Sequence, residues 1–324
     1  LFHNNGDGTF TDVTAAVGMP VASPGGYHGR GVCAADFDLD GDPDIYVGNY
    51  RLNPNQLWRN NGGMSGFTEV SAGAGVKGNW AQGSYGHTIG PSFGDLDNDG
   101  LFDLVVPNLA HPRFIAFSDP TMVYMNNGDG SFTGFKTPEK GIVYDETHSG
   151  STLFDADNDG DLDLFLTAVY EGRRSYLYAN DGSGTFTDAT YESGIRQYNG
   201  WGCAAADVDD DGDLDLVSKG LYINGSQGGH YLKVRLTGGA TPGAAAGMSN
   251  RDAIGAWVEA ITQGVKRVRQ VEGGKGTGCQ NSRVLHFGLG AADTVDSLVV
   301  HWPSGKTSEL TQVAADQLVE IAEK

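Results

Sequence analysis

The sequence is poor in sulfur, in basic residues and in long apolar runs. It has three cysteines, Cys33, Cys203 and Cys279, in 324 residues. An odd, sparse set of this kind is not a disulfide framework, and small buried apolar side chains are the expected role. Lys and Arg total 21 against 41 acids, for a net charge of −20, which argues against nucleic acid as a partner. No apolar stretch approaches the ~18 residues of a membrane-spanning helix. Helical periodicity is absent before residue 230. Glycine, by contrast, is abundant at 50 residues. It is scattered without a period of three, which excludes collagen and implies many tight turns.

The acidity is concentrated. DFDLDGDPD occupies 36–44, DLDNDGLFD 95–103, DADNDGDLD 155–163 and DVDDDGDLD 207–215. Setting aside four carboxylates in each of these loops leaves 25 acids against the 21 bases, so the remaining surface is close to balance. An apolar-rich strand sequence follows each loop. A second pattern interleaves with the first at LFHNNGDGTFTDV, QLWRNNGGMSGFTEV, VYMNNGDGSFTGF and YLYANDGSGTFTDA. Each reads as two β-prone runs around an Asn/Gly turn, which is a β-hairpin. One unit is therefore strand, aspartate loop, strand and hairpin. Four strands in ~55 residues is the format of a propeller blade.

The loop pattern D-x-D-x-D-G-x-x-D suits calcium. Aspartates at positions one, three and five converge as the chain curls, glycine at six permits the turn, position seven offers a carbonyl, and Asp at nine closes the shell. The ligand set expected is Asp36, Asp38, Asp40, Asp42 and Asp44, then Asp95, Asp97, Asp99, Leu101 and Asp103. It continues with Asp155, Asp157, Asp159, Asp161 and Asp163, then Asp207, Asp209, Asp211, Asp213 and Asp215. Leu101 has no side-chain donor, which fits a backbone role at position seven. About four calcium ions are expected, one per loop, tying strands together. Zinc would require His or Cys at tetrahedral spacing. EF-hands are excluded, because position twelve is Val47, Val106, Leu166 or Ser218 instead of Glu.

These loops resemble FG-GAP/VCBS repeats. The C-terminal stretch contains HYLKVRL at 230–236, SNRDAIGAWV at 249–258, RVLHFGLG at 283–290 and VVHWPSG at 299–305. Together they resemble the ASPIC/UnbV domain that follows such repeats in the cartilage acidic protein family. The resemblance implies a secreted, extracellular or periplasmic, calcium-binding protein. The fold expected is all-β: propeller-like repeats over 1–224, a linker over 225–230 and a small β-sandwich over 231–324. The chain opens at Leu1 inside a repeat, so sequence upstream of it is expected. The fourth repeat lacks a last strand, and the two incomplete ends are candidates to complete one blade or to join another copy.

Opposite the loops, strand entrances and exits collect a second set of side chains. His28, His87 and His148 precede their loops at nearly constant offset. Converging on a central channel, they would form a candidate catalytic or metal centre. Arg51, His111, Arg113, Arg173, Arg174 and Trp201 are candidates for holding a ligand. The same pattern of histidines also fits packing between blades. Three functions follow: a calcium-stabilised extracellular module binding protein or glycan, an enzyme built on the histidines, or a self-assembling structural protein. No Ser–His–Asp, Walker or dinucleotide pattern supports catalysis independently.

Overall fold

The computed structural model describes residues 1–20, 27–63, 65–79, 84–109, 118–145, 147–226, 228–240 and 247–324. They form antiparallel sheets in chain order. A hairpin of β1 (Phe2–Asn4) and β2 (Phe10–Asp12) comes first. Three four-stranded repeats follow. The first is β3 (His28–Ala35), β4 (Asp44–Tyr50), β5 (Gln56–Asn60) and β6 (Phe67–Glu69). The second is β7 (Ser92–Gly94), β8 (Asp103–Val106), β9 (Met122–Asn126) and β10 (Phe132–Lys136). The third is β11 (His148–Phe154), β12 (Asp163–Ala168), β13 (Tyr176–Asn180) and β14 (Phe186–Asp188). A fourth repeat has β15 (Ala204–Ala206), β16 (Asp215–Val217) and β17 (Leu221–Tyr222). Each aspartate loop joins the first two strands of its sheet, as the repeat pattern requires.

The sheets stack face to face in a propeller-like series, because their middle strands are apolar on both faces. β8, β9 and β12 are buried throughout. One core gathers Tyr46, Leu57, Leu104 and Tyr124 between the first two repeats; others join the second to the third and the third to the fourth. Full burial of a side chain of this size contributes roughly 1.5–3 kcal/mol. The N-terminal hairpin forms its own two-stranded sheet and does not pair with β17. The expectation that the two ends complete one blade is therefore not met. With no sheet stacked over them, Phe2 and Phe10 stay 67% and 63% exposed, while Leu221 and Ile223 on the three-stranded sheet are each 54% exposed.

The C-terminal domain is a two-sheet sandwich. Its strands are β18 (His230–Thr237), β19 (Trp257–Thr262), β20 (Val265–Gln270), β21 (Leu285–Gly290), β22 (Thr294–His301), β23 (Thr307–Ala314) and β24 (Gln317–Ala322). One sheet has the order β21-β18-β24, the other β20-β19-β22-β23. The chain end is a strand, β24, parallel to β18. Val234, Val258, Phe287, Leu298 and Val300 fill the space between the sheets. His230 already belongs to β18, so the strand begins inside the stretch read as linker.

A second feature of this domain is not visible in its strand pattern. The segment between β20 and β21 runs across the first strands of the first, third and fourth repeats and the stretch that enters β7. Val32 N–H donates to Gly276 O at 3.2 Å, and Thr277 Oγ1 to Ile89 O at 3.1 Å. Lys275 Nζ donates to Thr152 Oγ1 at 2.7 Å, and Ala205 N–H to Asn281 Oδ1 at 3.0 Å. A cavity remains beside this segment, lined by Phe93, Leu153, Phe154, Ala205, Val268 and Asn281.

The second, third and fourth repeats are each also joined to the preceding one by an asparagine at or just after the third strand. Asn126 Nδ2 donates to Phe37 O, Asn180 Nδ2 to Leu96 O and Asn224 Nδ2 to Ala156 O, at 2.7–2.8 Å. Each acceptor is the second residue of the preceding repeat's aspartate loop. Asn180→Ala would leave Leu96 O and Leu162 O without their donor, at about 1–3 kcal/mol for each buried acceptor. Denaturant unfolding is expected to show a loss of ~2 kcal/mol or more. Asn4→Ala, at the exposed equivalent position, should change stability by less than about 0.5 kcal/mol.

Candidate metal centres

The four aspartate loops fold alike. Glycine at position six adopts a left-handed φ of 97°, 90°, 99° and 98° in Gly41, Gly100, Gly160 and Gly212. Position four is left-handed too, at Leu39, Asn98, Asn158 and Asp210. These two reversals curl the loop so that alternate side chains point inward. Position five closes a short turn: Asp40, Asp99, Asp159 and Asp211 accept the N–H of position seven at 2.8–3.1 Å.

Position nine ties the loop to its sheet. Asp44, Asp103, Asp163 and Asp215 are buried. One oxygen of each accepts the N–H of loop position two, at 3.1 Å from Phe37 and 2.8 Å from Leu96, Ala156 and Val208. The other accepts the N–H of Asn60, Asn126, Asn180 or Asn224 at 2.7–2.9 Å. A single carboxylate thereby joins the loop, the second strand and the third.

Ligand atoms gather in all four loops. Oxygens of Asp36, Asp38 and Asp40, of Asp95, Asp97 and Asp99, of Asp155, Asp157 and Asp163, and of Asp207, Asp209 and Asp215 lie within 4.8 Å of one another. Among the described residues, these are the clusters of His, Cys, Asp and Glu that meet that limit. Oδ1 of Asp38, Asp95, Asp97, Asp155 and Asp207 is buried without a hydrogen-bond partner in the chain. A buried acceptor left unpaired is costly, and five of them within clusters of like charge fit a bound cation. All the side-chain donors are hard oxygens.

The electrostatics agree. Burial, reinforced by neighbouring carboxylates, pushes Asp36 up to about 6 and Asp95 and Asp155 up to about 7. Burial raises Asp44 and Asp163 to about 8, and Asp103 well above the usual range. Yet each position-nine carboxylate accepts two N–H bonds, which favours its ionised form. A divalent cation reconciles burial with ionisation. Part of the compensation is internal: Arg269, buried in the C-terminal domain, lies close enough to Asp95 and Asp155 to lower both, though burial outweighs it.

Position seven has an additional role. Asn98 Nδ2 donates to Asp161 Oδ1 at 2.7 Å, and Asn158 Nδ2 to Asp213 Oδ1 at 2.6 Å. Side chains of Asp161 and Asp213 therefore link one loop to the next. Loops 1 and 2 carry Leu39 and Leu101 at the equivalent positions.

The histidines do not gather. His28 is exposed, with Nε2 3.4 Å from Arg51 Nη1. His87 is buried edge-on to Tyr50, with ring centres 4.6 Å apart. His148 is buried 2.9 Å from Thr121 Oγ1, and burial lowers its pKa to about 4. None belongs to a ligand cluster among the described residues. His87 and His148 are thus buried among neighbouring side chains, whereas His28 lies exposed beside Arg51.

Of the ligand candidates, Arg173 pairs with Asp145 at 4.0 Å and Arg174 with Asp188 at 3.0 Å. Trp201 is 49% exposed and packs on Arg30, which also lies over Tyr50. His111 and Arg113 lie outside the described residues. All three cysteines are free, Cys33 and Cys203 buried and Cys279 partly so.

The chain matches the model of the FG-GAP-like repeat over residues 1–47, 36–106 and 155–218, and that of ASPIC and UnbV over 246–324. It is 27% identical to cartilage acidic protein 1 of Xenopus tropicalis, over 99% of this chain and 41% of that protein. Identity to the Homo sapiens protein of that name is 27%, over 94% of this chain and 37% of the relative. Identity to that of Mus musculus is 26%, over 100% and 40%. The chain thus spans about two fifths of the length of these relatives.

The raised carboxyl groups set a pH dependence. Groups whose folded pKa exceeds the unfolded value of 3.8 contribute stability below about pH 4 and lose it as pH rises through about 6–8. In chelator, the melting temperature is expected to fall between pH 5 and 9 by more than about 5 °C. A saturating divalent cation should abolish most of that fall. Calorimetric scans across the pH series check both curves.

Proposed function

The chain belongs to the FG-GAP-like repeat family and carries an ASPIC and UnbV domain at its C-terminal end, and on this basis we propose that it is an extracellular binding module whose scaffold is held by calcium, one ion in each aspartate loop. The observation that carries the reading is the set of buried, unpaired carboxylate oxygens directed into four all-oxygen clusters. Calcium takes six to eight hard oxygen ligands in flexible geometry, at about 2.3–2.6 Å. Aspartates at positions one, three and five supply them in the first two loops, and positions one, three and nine cluster in the last two. The ion neutralises carboxylates that burial opposes, so its role here is structural.

Extracellular location rests on the relatives, which are named for cartilage. No helix among the described residues is long and apolar enough to cross a membrane. The C-terminal domain covers part of the loop face, which leaves the opposite face for recognition. Arg30 lies there between Tyr50 and Trp201, and Tyr170 and Tyr198 are 39% and 47% exposed. Exposed aromatic rings beside guanidinium groups suit a protein or glycan partner.

A second reading, self-association, is favoured by one observation. The β1–β2 hairpin and the β15–β17 sheet leave Phe2, Phe10, Val217, Leu221 and Ile223 exposed, and apolar sheet edges invite pairing between copies. Sedimentation at increasing concentration checks it: dimer formation that Phe2→Ser and Phe10→Ser abolish is the outcome expected on this second reading, and a monomer at every concentration rejects it.

The calcium reading has its own measurement. Equilibrium dialysis against calcium is expected to give about four ions per chain. Chelation is expected to lower the melting temperature, and calcium to restore it. An unchanged melting curve in chelator would overturn the structural role.

A further inference from the structure

The loops differ in what holds the aspartate at position one. In loop 1 both oxygens of Asp36 are held within the loop, by the N–H groups of Asp40 at 3.0 Å and Gly41 at 2.9 Å. In the other three, the loop keeps an internal donor, with Gly160 N–H on Asp155 Oδ2 at 2.9 Å and Gly212 N–H on Asp207 Oδ2 at 3.2 Å, and the C-terminal domain adds a further donor to the same carboxylate. Val268 N–H of β20 donates to Asp95 Oδ2 at 3.1 Å, and Gly288 N–H of β21 donates to Asp155 Oδ2 at 3.0 Å. Lys233 Nζ of β18 donates to Asp207 Oδ2 at 2.7 Å. In each case Oδ1 remains without a partner, and Asp95 and Asp155 are 0% and 1% exposed. The donors come from three strands in both sheets of the sandwich, so the match belongs to the docked domain as a body.

We propose that docking of the C-terminal domain and calcium binding at loops 2 and 3 form one coupled equilibrium, while loop 1 fills independently of it. The inference rests on the reading of the loops as calcium sites and names what regulates two of them. The domain's neutral N–H is a second donor on Oδ2 beside the loop's own glycine; it narrows the side-chain rotamer further and leaves Oδ1 facing the other ligands. Partners of this outer kind typically change metal affinity by about 10–100-fold. Linkage then requires the reverse effect: an ion that holds the carboxylate in place strengthens the domain contact by the same factor. Loop 4 stands apart, because Lys233 orients Asp207 but brings a positive charge that opposes the ion.

Gly288 offers a perturbation confined to the contact between loop 3 and the domain. A Cβ added there would lie 2.0 Å from Asp155 Oδ2 and 2.6 Å from the carbonyl carbon of Asn158, so it pushes against both the carboxylate and the main chain of the loop. Its φ lies outside the left-handed region, so alanine disturbs the contact and leaves the strand conformation allowed. In calorimetric calcium titrations of the full chain, Gly288→Ala is expected to weaken one ion by about tenfold or more and to leave loop 1 unchanged. From the other side, Asp157→Asn alters loop 3 without touching the C-terminal domain and should accelerate hydrogen exchange at the Gly288 amide. Asp38→Asn should lose an ion from loop 1 with exchange at Val268 and Gly288 unaltered. Wild-type calcium affinity in Gly288→Ala, a Gly288 amide as protected in Asp157→Asn as in the wild type, or equal deprotection by Asp38→Asn would each overturn the coupling. A wild-type chain that binds no calcium at all would overturn the loop reading itself, and the coupling with it.

Discussion

A buried carboxylate at the ninth position of each aspartate loop is the constraint on which the repeats depend. It accepts one backbone N–H from its own loop and one from the third strand. The loop, the second strand and the hairpin are thereby held at one point. The residue giving the third-strand N–H is the asparagine whose side chain, in three of the four repeats, crosses to the preceding loop. Order within a repeat and order between repeats consequently share one anchor. The anchor places negative charge where burial opposes it, so a scaffold built this way calls for compensating positive charge.

That compensation comes from two directions. Clustered oxygens at positions one, three, five and nine suit a divalent cation. The C-terminal domain contributes Lys233 to Asp207 directly and buries Arg269 near Asp95 and Asp155. The same domain sends its 271–284 segment across all four repeats, on β3, β11, β15 and the stretch that enters β7. Lys275 and Thr277 of that segment donate to the repeats and Asn281 accepts from them, while Trp201 stays 49% exposed beside Arg30.

Much of the scaffold was legible because its signals are local. Four copies of D-x-D-x-D-G-x-x-D state the loop geometry through the glycine that must turn and the acids that must converge. Asn/Gly pairs between β-prone runs state the hairpins. The hairpin asparagines also carried a signal of their joining role, since each is the first residue of its turn, but their acceptors lie in another repeat. The histidines misled for a related reason. Their constant offset reports an equivalent place in each repeat, and equivalent places around a stack face successive neighbours, so repetition alone does not make them converge.

By itself, the sequence determined the all-β class, the number and internal form of the aspartate loops, and the presence of a separate strand-rich C-terminal domain. Periodicity and turn chemistry act within a few residues, so they are written wherever the residues are. Only the tertiary structure decided where that second domain sits and which loops receive an outer donor from Val268, Gly288 or Lys233. Those contacts join residues more than 20 and up to 173 positions apart, two of them through backbone N–H groups. Every residue except proline carries a backbone N–H, so no side-chain pattern marks in advance the ones that will meet a buried carboxylate.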